Sequence, residues 1–408
     1  MNIKALKPFW LLLITAIVIS SCEKDEAIKD YNNEYLKEYE LVDSYTQEQV
    51  LQKLVFVAFA FPEFGDVLAS ISDGVDIYKV TYNTSLQEEA IVASGLVCIP
   101  KGDKAYPFLS FQNGTNTCHS NAPSVRNTDT LFSMISVMAG AGFIITIPDY
   151  IGFGESEQVL HPFHHKASSD ASIINLLKAA DELLVNLGTA SKASEDLMLI
   201  GYSQGGWATM SVLKELETNS ANTFNVKAAA CGAGAYNLRS MSEHVLSLEE
   251  YGNPFYLPYF IEPRRQLGIL TNPLSDYFKA PYADIIPGVF DGTYCNTQAN
   301  TEFTNTISEL MSTDMINNFD ESTKLADLRD ELDKNSITAW NVKADLRMYH
   351  SSGDKSVPSF LSKNLYDDFI ELGVSSEQVE LEIVEFLDHN DAILPWGIDA
   401  ITWLVAQN

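Results

Sequence analysis

The sequence has 408 residues, 46% of them hydrophobic and 20% charged, a composition that buries a large core and excludes a disordered or low-complexity chain. Against 26 basic residues stand 55 acidic ones, a formal net charge of −29 that repels phosphate backbones and excludes nucleic acid as an expected partner. The length fits one large domain carrying an insertion.

Lys4 and Lys7 precede an apolar run from Phe9 to Ile19, and Ile19-Ser20-Ser21-Cys22 then sets small residues before a cysteine. The run is shorter than the roughly 20 residues a membrane span needs. Residues 1–22 thus resemble a bacterial lipoprotein signal, in which Cys22 becomes the acylated mature N-terminus; an ordinary cleaved signal peptide is the alternative. Glu23-Lys24-Asp25-Glu26 resembles the acidic tag that sends such lipoproteins to the outer face. The expectations are a lipid anchor at Cys22, the membrane as a partner, and a cell-surface location on a bacterial outer membrane. Residues 23–45, charged and dotted with tyrosine, read as a tether.

Val50, Leu51, Leu54, Val55 and Phe59 fall at helical spacing over residues 47–61, and Pro62 stops the helix. Residues 75–82 alternate, and residues 90–99 are rich in β-branched side chains, which predicts an antiparallel hairpin. From Pro107 the texture changes. Strands at 108–111, 143–147, 197–200 and 226–230 are spaced by helices at 129–139, 169–187 and 204–216. Strands alternating with helices, and apolar throughout, predict an α/β fold with a mostly parallel, doubly wound sheet. After Gly234 the rhythm breaks into proline and aromatic clusters, such as Pro254-Phe255-Tyr256-Leu257-Pro258-Tyr259-Phe260. Residues 237–342 therefore read as a helical cap inserted into a core made of 46–236 and 343–408. The sheet resumes at 344–349 and 379–386, and a helix over 391–406 closes the chain.

Gly201-Tyr202-Ser203-Gln204-Gly205 is a G-x-S-x-G pattern, weak by itself. Met198-Leu199-Ile200 before it reads as a strand and Trp207 onward as a helix, the context a nucleophile elbow needs. A serine hydroxyl needs a base, and the base an orienting acid, in the chain order Ser, Asp or Glu, His. Of the 7 histidines, three follow Ser203: His244, His350 and His389. His244 lies at the start of the cap and His350 in or beside a strand. His389 follows the last strand and precedes the terminal helix, where the base belongs. Asp354, in the turn after the penultimate strand, is the expected acid. Asp345 starts that strand, and Asp388 and Asp391 lie too close to His389 to reach its far nitrogen. The backbone N–H of Gln204 is the expected first oxyanion donor, with Thr115, then Gly114, as candidates for the second.

Three further features need a reading. Pro148-Asp149-Tyr150-Ile151-Gly152-Phe153-Gly154-Glu155-Ser156 is expected to pack beneath the elbow. His161, His164 and His165 invite a zinc site, but no Cys or acidic partner has ligand spacing nearby, so a loop lining the substrate entrance is expected and no metal or cofactor. With Cys22 acylated, Cys98, Cys118, Cys231 and Cys295 remain free to form disulfides in any of three connectivities.

Taken in order, Phe111-Gln112-Asn113-Gly114-Thr115, the loop from Pro148 to Gly154, His161-Pro162-Phe163, Gly201 to Gly206, Gly353-Asp354 with Val357-Pro358, and the His389 loop resemble the secretory-lipase family of α/β hydrolases and related bacterial lipases and esterases. That resemblance implies an α/β-hydrolase fold and hydrolysis of carboxylic esters without a cofactor. Asn113 stands where related chains often carry histidine. The expected function is a serine lipase or esterase acting on a small or polymer-linked ester. The alternatives are an esterase removing acetyl or aryl-acyl groups from polysaccharide, a serine peptidase, and a non-catalytic surface binding protein.

Overall fold

The computed structural model describes residues 32–126, 130–189 and 191–408. The proposed signal and Cys22 lie outside the described residues, as does the first part of the tether. The strands are β1 (Leu36–Tyr45), β2 (Val75–Leu86), β3 (Glu89–Pro100), β4 (Ala105–Gln112), β5 (Ile144–Pro148), β6 (Lys192–Tyr202), β7 (Asn225–Gly232), β8 (Asp345–Ser351) and β9 (Val379–Val384). They form one 9-stranded sheet in the order β1-β2-β3-β5-β4-β6-β7-β8-β9. β1, β2 and β3 pair antiparallel, β3 meets β5 antiparallel, and every pair from β5 to β9 is parallel.

The last six residues of β6 and all of β5 are buried, as parallel strands covered on both faces must be. One face is covered by helices α1 (Gln47–Ala60), α2 (Thr130–Val137) and α9 (Ile393–Ala406); the other by α3 (Lys166–Leu187), α4 (Gln204–Thr218) and α8 (Phe360–Glu371). α8 was not foreseen from sequence.

Residues 36–45 correct the tether reading. They form an edge strand on β2, not a linker, with register irregularities between Leu36 and Glu38 and between Leu41 and Asp43. The two shifts break the period-two alternation that would have marked a strand. Its charged, largely exposed side chains (Lys37, Glu38, Glu40) are what a sheet edge carries to discourage further pairing.

Between β7 and β8 the chain leaves the sheet. Residues 237–342 run through short helices, among them α5 (Leu238–Ser247), α6 (Tyr256–Gln266) and α7 (Ala326–Lys334), around an apolar cluster of their own. Arg264 of α6, fully buried, pairs with Glu331 of α7 at 3.0 Å. It also donates to the carbonyls of Phe163 at 2.7 Å and His164 at 2.9 Å. A guanidinium taken out of water needs partners for all its donors, and here they tie two inserted helices to the loop beside the elbow.

Candidate active site

The turn that carries Ser203 is shaped by its neighbours. β6 ends at Tyr202 and α4 starts at Gln204, leaving Ser203 between them at φ 59° and ψ −121°. A non-glycine residue stays in such a conformation only when its surroundings over-determine it. Ser203 N–H donates to the Gly232 carbonyl at 2.8 Å, and Trp207 N–H donates to Ser203 O at 3.0 Å. A Cβ at Gly201 would lie 2.3 Å from the Gly205 carbonyl oxygen, and one at Gly205 2.0 Å from that of Gln112. The glycines of the pattern are therefore demanded by close approach of backbone to backbone.

His389 and Asp354 arrive from the ends of β9 and β8. His389 Nε2 lies 2.8 Å from Ser203 Oγ, and Nδ1 lies 2.5 Å from Asp354 Oδ2. With these partners Nδ1–H donates to the carboxylate and Nε2 accepts from the hydroxyl, a tautomer assigned from the bonding pattern. The other carboxylate oxygen accepts from the N–H groups of Ser356 at 2.9 Å and Val357 at 2.8 Å. Burial would raise the Asp354 pKa, but the bonds from His350 and His389, with the Val357 N–H, outweigh it and hold it down at about 2. Tyr202 OH donates to the His389 carbonyl at 2.8 Å, which fixes the histidine's backbone.

His350 was weighed from sequence only as a base, and its place here was missed. It is fully buried, with Nε2 2.7 Å from the Val357 carbonyl oxygen and 3.3 Å from Asp354 Oδ2, and Nδ1 2.6 Å from Ser362 Oγ. It therefore holds both the Asp354 carboxylate and the turn that follows it. The four-residue spacing to Asp354 was the available signal.

The loop after β4 carries Gly114 and Thr115 to the rim of Ser203. The inserted segment grips it. Asn296 Nδ2 donates to the Thr115 carbonyl at 2.7 Å, Thr117 Oγ donates to the Tyr294 carbonyl at 2.8 Å, and Tyr259 OH donates to the Asn116 carbonyl at 2.6 Å. A disulfide joins Cys118 to Cys295. From the core side, Asn113 Nδ2 donates to the Pro148 carbonyl at 3.0 Å.

No family model and no curated relative matches the sequence. Solved structures do. A protein from Legionella pneumophila assigned as a hydrolase superposes with a TM-score of 0.78 at 23% identity, over 92% of this chain and 98% of that one. The ligand-bound rice cell wall degrading esterase LipA from Xanthomonas oryzae gives 0.76 at 23% identity, over 91% and 97%. Candida antarctica lipase A in its closed state gives 0.60 at 14% identity, over 89% and 79%. The chain has the α/β-hydrolase fold. At these identities the likeness speaks to the fold alone.

Within this hydrolase fold, Ser203 sits where two cavities meet. One lies under α5, α6 and α7 and is lined mainly by apolar side chains, with Thr115, His164, Gln204 and Ser242 among its polar ones. The other runs between α1, α2 and α9, with His389 and Asn390 at the serine end. Thr115 borders both, Gly114 only the second, and Gln204 only the first.

The three histidines of the 161–165 stretch do not converge; Phe163 and His164 of this loop line the cavity under the inserted helices, while His161 and His165 are taken up elsewhere. His161 Nδ1 bonds the Ile151 carbonyl and its Nε2 bonds the Gln204 side chain, each at 2.7 Å. His165 caps the N-terminus of α3, its Nδ1 3.0 Å from Ser168 Oγ. His164 packs edge-on against Trp207. Burial lowers all three pKa values, those of His161 and His165 to about 4, so the rings are neutral near pH 7. The Asp149 loop is held by β3 and the loop after β4 instead: the buried Asp149 carboxylate accepts from Ser94 Oγ and Ser124 Oγ, each at 2.5 Å, Tyr150 OH donates to the Asn113 carbonyl at 3.2 Å, and the link to the elbow runs through His161. Of the three disulfide connectivities, only the Cys118–Cys295 pair of one forms; Cys98 and Cys231 are free thiols buried on β3 and β7.

Proposed function

We propose that this chain is a serine hydrolase of carboxylic esters, with Ser203 as nucleophile, His389 as base and Asp354 as its orienting acid. The observation that carries the reading is one imidazole bonded on both nitrogens, to a depressed-pKa carboxylate and to a serine on a strained turn at a helix N-terminus. As Ser203 Oγ bonds to the ester carbonyl carbon, His389 Nε2 takes its proton. The resulting oxyanion is held by the N–H groups of Gln204 and Thr115. His389 then protonates the alcohol oxygen as the C–O bond breaks. Water releases the acid from Ser203 by the same proton path.

A second reading, an esterase acting on polysaccharide-linked acyl groups, is favoured by the likeness to the cell wall degrading esterase. Under either reading Cys22 is the lipid attachment site, and the protein works from the outer face of a bacterial outer membrane. The N-terminal pattern alone supports that placement.

Hydrolysis of p-nitrophenyl esters over acyl lengths, beside Ser203→Ala, tests the chemistry. Loss of at least about 10⁴-fold in kcat/KM is expected for the variant. Substantial ester cleavage by Ser203→Ala would sink the assignment.

A further inference from the structure

The two cavities that meet at Ser203 are not equivalent, and the proton path tells them apart. In acylation the C–O bond to the alcohol breaks, and the proton that left Ser203 passes from His389 Nε2 to the departing oxygen. The alcohol must therefore lie on the side that His389 borders. His389 lines the cavity between α1, α2 and α9 and does not line the one under the inserted helices. The acyl group is left with the other cavity, beside Gln204.

We propose that the α1–α2–α9 cavity is the alcohol site and that it takes a hydrocarbon alcohol, not a sugar. This rests on the ester-hydrolase reading above and adds the leaving half of the substrate. The cavity encloses about 1210 Å³ of empty space, its open mouth included. Thr115, Asn296 and Asn390 line it with Ser203 and His389; the Gln112 amide is engaged with Ser110 and Thr209 and the Tyr202 hydroxyl with the His389 carbonyl, and Tyr256 and Trp396 add a hydroxyl and an indole N–H. Away from the serine the walls are Leu54, Val57, Ile135, Met138, Ile398 and Ile401. A sugar hydroxyl placed among these six side chains would lose its water and find no partner, whereas an alkyl chain would only gain burial.

Gly397 of α9 supports the same use. It lines the cavity in a helix interior, where glycine is unfavourable, yet a Cβ there would meet nothing within 4 Å. No packing contact demands the glycine, and its absent side chain leaves the cavity wide.

The test uses the full-length protein and butyrate esters of methanol, hexanol, octanol and glucose. kcat/KM is expected to rise at least about tenfold from methyl to octyl, with the glucose ester no better than methyl. Gly397→Phe fills the alcohol cavity and is expected to cut the octyl-to-methyl ratio at least about fivefold, with Gly397→Ala as the folding control. Ser242→Phe, which narrows the opposite cavity, is expected to shift acyl-length preference and leave that ratio alone. A flat alcohol series, a preference for the glucose ester, or an octyl-to-methyl ratio that follows Ser242→Phe would each overturn the assignment while leaving the esterase reading intact. If Gly397→Phe fails to fold, the alcohol series of the unaltered protein still decides. Cleavage of no ester at all would overturn the esterase reading, and this inference with it.

Discussion

Two loops meet at Ser203, and they are held by different parts of the chain. The elbow from Gly201 to Gly205 is fixed by its own strand, its own helix, the adjoining β7 and the end of β4, all within the core. The loop from Asn113 to Cys118 is fixed on its outer side by residues some 177 positions further on, through Asn296, Tyr294 and the Cys118–Cys295 disulfide. Under the proposed mechanism the nucleophile is thus an affair of the core, while the second oxyanion donor depends on the insertion. The insertion also reaches the turn after Asp354, where Tyr251 OH donates to the Ser356 carbonyl at 2.7 Å and Asn253 Nδ2 to Ser356 Oγ at 2.8 Å, so damage to it should impair transition-state stabilisation and loosen the seat of Asp354 while sparing the elbow.

The largest effect belongs to the core side. Asp354→Asn removes the acceptor that sets the His389 tautomer, and kcat should fall on the order of 10⁴-fold with the fold unchanged by circular dichroism. A loss below tenfold would mean that His350 or another group orients His389 instead.

On the insertion side, Asn296→Ala frees the Thr115 carbonyl and lets the donor beside it drift. A loss of about tenfold or more in kcat is expected, with KM and thermal midpoint little changed, and affinity for a boronic-acid transition-state analogue falling in step. An equal rise in KM would instead mark Asn296 as a substrate-binding group.

Replacing Cys118 and Cys295 together by serine should cost roughly 2–4 kcal/mol, read by urea unfolding, because the closed loop spans 177 residues. Activity should drop with it if the disulfide helps to hold the oxyanion loop. Unaltered kcat in the folded double variant would show that the hydrogen bonds from Asn296 and Thr117 suffice.

The smallest effect sharpens the picture of the histidine loop under the insertion. Burial lowers the His165 pKa to about 4, against about 6.5 when unfolded. Between those values the unfolded chain binds a proton that the folded one refuses, so this stability is present above about pH 6.5 and is lost as pH falls toward 4. Asp170, raised to about 7 chiefly by burial, has the opposite sign in the same window. The difference between the wild type and His165→Asn, which keeps a side-chain cap on α3, isolates the histidine. The variant's stability should fall less between pH 7 and pH 4.5, by about 1–2 kcal/mol in chemical denaturation. Parallel curves would place the proton elsewhere.

Much of the fold was legible because its signals are local. Buried parallel strands are apolar runs, and the helices between them repeat at 3.6 residues, so β4 to β9 could be placed within a few residues. The elbow was legible because backbone crowding at Gly201 and Gly205 restricts what can stand there. β1 was not, because an irregular, charged edge strand carries no alternation and is made a strand only by the partner it finds. α8 carries only three buried apolar residues, Leu361, Leu365 and Phe369, among charged and polar ones, too thin a stripe to stand out between two strands.

At the site, the Gly201–Gly205 pattern in its strand–helix context brought Ser203 forward, and chain order added Asp354 and His389, since order in such a sheet dictates which loops share an edge. What order could not give was the surroundings of each group. His350 beneath Asp354, Asn296 on the Thr115 carbonyl, the choice of Cys118 with Cys295 and the separate duties of His161, His164 and His165 all join residues distant in sequence or depend on which way a ring points. The same holds for the two cavities, which are spaces between helices from separate stretches of chain. Local residue pattern determined the elements and the reacting groups; only packing in three dimensions decided who holds those groups and what shape lies open to a substrate.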